Sequence, residues 1–330
     1  MTVGAASSAR CAARGLARRL VRGLVCGAAL FVTSGGPSVA AASDLDIRQI
    51  GPDTWALIGR TEDLTPQNRG NIANAGFIAT REGVVVIDTS ASKALGEAWR
   101  AAIEARTRVP IVRVLNTHLH PDHMLGNQAF PLEALATLPS TAQSLREVGE
   151  AFNDNLYRMV GEAMKGTNVV VPEAMAQPGV MELGGHRIRL IALQGHSAAD
   201  LVVFDETTGV LFTGDLVFFD RAPTTPHADL ARWRGSLDAL AALPFRKLVP
   251  GHGPVLEDRR GIDMTRRWID WIEKTFVDAA QAGLDMNDVL AMPLPAEWAS
   301  LPLAASEYRR SVAHLYPGIE RRALSATVSH

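Results

Sequence analysis

The sequence predicts an α/β fold with mixed β-sheets and helices packed outside them. Two observations carry this. Strand-like runs alternate with amphipathic stretches, and hairpin signals stand among crossover helices. Composition adds that the core is large: of 330 residues, 47% are hydrophobic and 21% charged. Such a balance excludes collagen-like, coiled-coil, disordered and disulfide-rich classes. A formal net charge of −2 and an aromatic content of 6% exclude a basic or base-stacking surface, so no nucleic-acid partner is expected. No stretch approaches the roughly 20 apolar residues of a spanning helix, so no integral membrane span is expected.

Residues 1–42 read as a signal peptide. Arg10, Arg14, Arg18, Arg19 and Arg22 precede an apolar run from Gly23 to Val32, and small residues lead to Ala40-Ala41-Ala42. Arg18-Arg19 leaves Sec and twin-arginine export both open. Cleavage would remove Cys11 and Cys26, the two cysteines of the chain, and with them any disulfide or thiolate ligand. It would also remove five of the 33 basic residues and none of the 35 acidic ones, for a mature charge of −7. The expected location is periplasmic or secreted.

Trp55–Gly59, Ile72–Thr80 and Val84–Asp88 are strand-like, with Arg81-Glu82-Gly83 as a hairpin turn. Lys93–Ala105 is helical, opened by Ser92 as N-cap. Ile111–Leu115 is a β-branched, buried strand, and Thr141–Met164 has helical composition. Arg187–Leu193 is a strand, and Leu201–Phe204 with Val210–Thr213 form a second hairpin around Thr207-Thr208-Gly209. Leu230, Trp233, Leu237 and Leu240 recur at helical spacing in Asp229–Leu243, and Lys247–Val249 is a last short strand. Beyond Gly261 the chain reads as helix, broken by Pro293, Pro295, Pro302 and Pro317; its Trp268, Trp271, Phe276 and Leu284 read as packing residues. No linker divides this region. The expected organisation is a catalytic domain over 43–258 and a helical C-terminal extension over 259–330.

Directly after the buried strand stands Asn116-Thr117-His118-Leu119-His120-Pro121-Asp122-His123, four potential metal ligands in six residues. In extended backbone His118 and His120 project to one side, as two ligands of one ion must. Pro121 suits a turn or helix start, from which Asp122 and His123 face a second position. Imidazole and carboxylate donors suit Zn, Fe or Mn. Three further candidates sit just past strands in Gly-containing turns: His196, Asp215 and His252. A lone histidine is usually a surface or satisfied core residue, and His186, His314 and His330 are read so. His227, in Pro223-Thr224-Thr225-Pro226-His227, fits either a place beside the site or a loop-structural role.

This set, over about residues 45 to 258, resembles the metallo-β-lactamase superfamily. The resemblance implies an αββα sandwich with metals at one edge of two sheets. It implies His118, His120 and His196 on a first zinc, Asp122, His123 and His252 on a second, and Asp215 bridging both. Asp88 matches the family's early Asp, which supports the site without ligating. Some β-lactamases carry Cys where Asp215 stands and Lys three positions later, where this chain has Phe218; the pattern is closer to hydrolases of the glyoxalase II kind. Asn71–Gly76, Asp220–His227 and His314-Leu315-Tyr316-Pro317 resemble, more narrowly, the exported zinc metallohydrolases of quinoprotein (PQQ-dependent) relay systems. That implies a periplasmic quinoprotein as partner.

The expected activity is that of a two-zinc hydrolase acting on a small ester, thioester, lactone or amide through a hydroxide bridging the metals, with Asp122 orienting it as the catalytic group. Two other readings stand beside it. One is a mononuclear iron persulfide dioxygenase using His118, His120 and either His196 or Asp215. The other is a non-catalytic metal-binding accessory protein. Tyr157 and Arg158 on a lid helix, and Phe218, Phe219 and Arg221 past Asp215, are candidates for the cavity wall or for ordinary packing.

Overall fold

Side chains on successive strand residues point to opposite faces, and here both faces are apolar. In the strand Val84–Ile87, Val85 and Ile87 enter one buried cluster while Val84 and Val86 enter another. In Asp200–Asp205, Leu201 and Val203 join the first cluster and Val202 and Phe204 a third. Strands buried on both faces require two sheets facing each other with helices outside. The computed structural model, which describes residues 45–328, has this architecture, and all these residues belong to one compact unit. The expected signal peptide, Cys11, Cys26 and His330 lie outside the described residues.

The first sheet runs in sequence order: β1 (Asp46–Gly51), β2 (Thr54–Ile58), β3 (Ala75–Ala79), β4 (Val84–Ile87), β5 (Ile111–Leu115), β6 (Leu135–Thr137) and β7 (Ala174–Met175). Its first four strands are antiparallel, and the pairs from β4 to β7 are parallel. The second sheet comprises β8 (Gly179–Leu183), β9 (His186–Leu193), β10 (Asp200–Asp205), β11 (Val210–Phe212) and β12 (Lys247–Val249), antiparallel except for β11 with β12. Gly76 permits the close approach of the sheets, because a Cβ there would lie 2.2 Å from the Phe212 ring.

Helix α1 (Lys93–Glu104) covers the first sheet through Trp99 and Ile103, and the Ser92 side chain accepts from Leu95 N as its cap. Short α2 (Pro121–Met124) and long α3 (Pro139–Val160) pack beside it through Met124, Leu145 and Leu156. Helices α4 (Leu230–Ala241), α5 (Arg260–Gln281), α6 (Met286–Ala291), α7 (Ala296–Ala299) and α8 (Ala304–Val328) cover the second sheet. Trp268 and Phe276 of α5 are fully buried there beside Trp233 and Tyr316, so the late aromatics are packing residues as expected. Among the described residues no helix is long and apolar enough to cross a membrane.

The structure differs from the sequence reading in three places. Strands β1, β6, β7 and β8 were not anticipated; β6 and β7 are two or three residues long, and β8 is a largely exposed edge without apolar alternation. The run from Ile72 becomes strand at Ala75, because Asn74 is taken by the loop around Gly251. Pro317 does not break the last helix: α8 continues through it. Proline removes one helical N–H bond and strains the preceding turn, but Val312 and Tyr316 on one side and Ile319 on the other are buried in the same core.

Candidate metal centre

The seven predicted site residues lie at the carboxyl ends of strands on one edge of the sandwich. β5 delivers His118, His120, Asp122 and His123, β9 delivers His196, β11 Asp215 and β12 His252. The structure brings all seven together as two sets, His118, His120, His196 and Asp215, and Asp122, His123 and His252, with donor atoms in each set within 4.8 Å of one another. All seven are buried. His120 stands as N-cap of α2 with Pro121 at its first turn, so Asp122 and His123 leave from helical rather than extended backbone, with the His123 ring centroid 4.4 Å from that of His118.

Partners on the outward ring nitrogens assign the tautomers of His118 and His123, while Nδ1 of His196 is buried without a partner. Thr117 Oγ1 donates to Asp88 Oδ2, so at 2.9 Å it accepts from His118 Nδ1. His123 Nδ1 donates to Asp88 Oδ2 at 2.8 Å, and His252 Nδ1 lies 2.8 Å from the Ile72 carbonyl. His120 Nε2 faces His227 Nδ1 at 2.8 Å. The inner nitrogens therefore crowd together: His120 Nδ1 lies 3.0 Å from His118 Nε2 and 2.8 Å from His196 Nε2. His123 Nε2 is 3.0 Å from Asp215 Oδ1, yet both atoms are buried without a hydrogen bond. Lone pairs aimed at common points repel unless a cation lies among them, so this donor set fits two borderline metal ions.

Backbone geometry supports the arrangement. Asp88 adopts φ 60 just past β4, a conformation asparagine and aspartate tolerate better than most residues, and so turns its carboxylate toward Thr117 and His123. The Asn74 side chain donates to the carbonyls of Pro250 and Gly253, fixing the turn that carries His252. Gly251 leaves room for Asp215, whose Oδ1 would sit 1.8 Å from a Cβ there. Gly251→Ala is expected to displace that carboxylate and destabilise the fold by roughly 2–4 kcal/mol. Thermal melts check this, and an unchanged melting temperature contradicts it.

Burial sets the electrostatics of the metal-free centre. It holds the His118 and His196 imidazoles far below their usual value and pulls His120 down to about 4, with His227 adding to the effect. At His123 burial acts the same way but is outweighed by the carboxylates of Asp215, Asp88 and Asp122, which raise it well above the usual range. At Asp215 burial is outweighed by His252 and His123, which hold the carboxyl far below its usual range. The carboxylates around His123 thus favour positive charge where the donors of the second set converge.

The signs oppose for the two kinds of histidine. As pH falls below 6.5 an unfolded chain protonates at His120, while the folded chain does not until about 4, so stability falls across that window. At 1.36 kcal/mol per unit, His120 alone accounts for about 2 kcal/mol lost by pH 5. His118 and His196 act in the same direction; His123 contributes stability below pH 6.5 that is lost at higher pH as it deprotonates. Asp200, pushed up to about 7 by burial, and Asp88, also raised by burial, act on the side of His123. Urea melts of chelated protein at pH 7 and pH 5 should show the lower midpoint at pH 5; equal midpoints contradict the dominance of the three lowered imidazoles.

A cavity of about 290 Å³ opens onto the centre. His120, Asp122, Asp215 and His252 form its floor, Leu64, Phe152, Leu156 and Met159 one wall, and Arg221, Thr224, His227 and Arg310 another. Helix α3 does border the site, but through Phe152, Leu156 and Met159; Tyr157 is 49% exposed and turned away. Phe218 does not face the cavity and instead stacks on His252, with centroids 5.3 Å apart and planes at 8°. His227 takes its place beside the site. Arg310 on α8 was not anticipated: its helix reads as amphipathic packing, and nothing local distinguishes a charge that reaches a cavity from one that reaches water.

A family model described as the metallo-beta-lactamase superfamily matches residues 68–252. The human acyl-coenzyme A thioesterase MBLAC2 is 27% identical over 209 residues, covering 56% of this chain and 74% of that protein. The atrochrysone carboxyl ACP thioesterase of Aspergillus fumigatus is 26% identical over 218 residues, 63% of this chain and 60% of that one. Among solved structures, a metallo-beta-lactamase from Pontibacter korlensis aligns with a TM-score of 0.54 at 24% identity, over 68% of this chain and 99% of the other. That likeness bears on the fold.

Proposed function

Because the chain belongs to the metallo-β-lactamase superfamily and is a hydrolase of that fold with an intact His/Asp metal-binding site, we propose that it works as a two-zinc hydrolase of small esters, thioesters, lactones or amides. The observation that carries this is the meeting of inward lone pairs in two adjoining sets at the floor of one cavity. His118, His120 and His196 would hold one ion, Asp122, His123 and His252 the other, and Asp215 would serve both. Bound there, zinc supplies Lewis acidity and a water whose pKa is lowered to about 7.

The chain's own groups do the rest. Asp122 has a carboxylate facing both the cavity and the second set, 3.4 Å from His252 Nε2, where it can hold the attacking water by a hydrogen bond and take its proton. Phe152, Leu156 and Met159 form an apolar wall that seats an acyl group and keeps bulk water from it. A cavity this small takes a compact substrate or the acyl end of a larger one, and the thioesterase names of two relatives favour a thioester. A single iron ion on His118, His120 and His196 or Asp215 leaves Asp122, His123 and His252 converging to no purpose, which favours two ions over the dioxygenase reading.

Export and a periplasmic quinoprotein partner belong to the same proposal. The first rests on residues 1–42, the second on the resemblance at Asp220–His227 and His314–Pro317. A panel of thioesters, lactones, phosphoesters and β-lactams, run on zinc-loaded and chelated protein, tests the activity. Zinc-dependent turnover of at least one acyl compound is expected. No turnover with two zinc ions bound overturns it in favour of an accessory metal protein.

A further inference from the structure

We propose that Glu307, on the C-terminal helix α8, is a positioning residue for His252, acting through Arg221. Its role toward a metal rests on the two-ion reading of the centre. The guanidinium of Arg221 is 3% exposed and the Glu307 carboxylate fully buried, and Arg221 Nη2 donates to Glu307 Oε1 at 3.1 Å. Nη1 of the same guanidinium lies 3.0 Å from His252 Nδ1. Nδ1 therefore faces two competing partners: donating its hydrogen to the Ile72 carbonyl leaves a lone pair on the inner Nε2, whereas accepting from Arg221 places the hydrogen on Nε2, and where the guanidinium stands between these alternatives is set from the far side by Glu307.

Phe218 completes the holder, stacked on the His252 face with Arg221 5.9 Å above its own ring. Glu307 Oε2 also accepts from Thr224, which ties down the loop that carries His227 to His120. Without Glu307 a buried cation beside His252 loses its counter-charge. Arg221 is then free to turn its N–H groups onto Nδ1, which would favour the tautomer that has a hydrogen, rather than a lone pair, on the inner nitrogen.

The test is zinc affinity of the full chain by chelator competition, for wild type, Glu307→Gln, Glu307→Ala and Tyr308→Phe. The last loosens α8 elsewhere, at the hydroxyl that donates to Val289 O. Glu307→Ala is expected to weaken one of two zinc equivalents about 10–100-fold and the other less than about threefold. The isosteric Glu307→Gln, which keeps a hydrogen-bond acceptor, is expected to fall between, and Tyr308→Phe to match wild type. Two equivalents bound as in wild type by both Glu307 variants, or parallel weakening of both ions that Tyr308→Phe reproduces, overturns the inference. Wild type that holds fewer than two zinc ions defeats the two-ion reading itself.

Discussion

Removing metal with a chelator is expected to abolish turnover and lower the melting temperature by about 8–16 °C for each tightly held ion. An ion present at 1,000 times its dissociation constant adds about 4 kcal/mol to the folded state. In a chain of this size each kcal/mol moves the melting temperature by about 2–4 °C. The physical source is the crowding of inward imidazoles, with His120 Nδ1 within 3.0 Å of two others and His123 Nε2 buried unpartnered. Differential scanning calorimetry with and without chelator, followed by zinc return, reads the effect. Equal melting temperatures and persisting activity would mean that hydrogen bonding alone satisfies the centre.

Asp122→Ala is expected to cost about 10²–10⁴-fold in turnover, the range of a positioned acid–base group, with a shift in melting temperature below about 3 °C for the metal-free protein. The asymmetry follows from where the carboxylate sits. It lies at 3.4 and 3.9 Å from two imidazoles, His252 and His123, whereas the Asp215 carboxylate lies 3.0 to 3.7 Å from four, His118, His123, His196 and His252. On the proposed function Asp122 therefore serves the chemistry more than the fold. Steady-state kinetics beside thermal melts separate the two, and a variant that loses stability as much as turnover assigns Asp122 a structural task instead.

The site was legible because its donors cluster at strand ends. His118, His120, Asp122 and His123 stand within six residues, and period-two projection already places the first two on one side. Strands buried on both faces, such as Val84–Ile87 and Leu201–Phe204, were legible for the same reason: a continuous apolar run fits few other places. The edge strands β1 and β8 were not, since half-exposed polar segments pair for reasons their neighbours supply. The partners that hold the donors in place are the least legible. Asn74, Arg221 and Glu307 act across separations that no local pattern marks, up to 179 residues in the case of Asn74 with Gly253. Pro317 misled because local propensity ends a helix that burial of Val312, Tyr316 and Ile319 sustains.

The most direct measurement is the metal content of protein purified without chelator, by mass spectrometry of the elements, with oxygen uptake followed in parallel. Two equivalents of zinc per chain, and no oxygen consumed during turnover, is the predicted result. One equivalent of iron with oxygen consumed in step with product contradicts it.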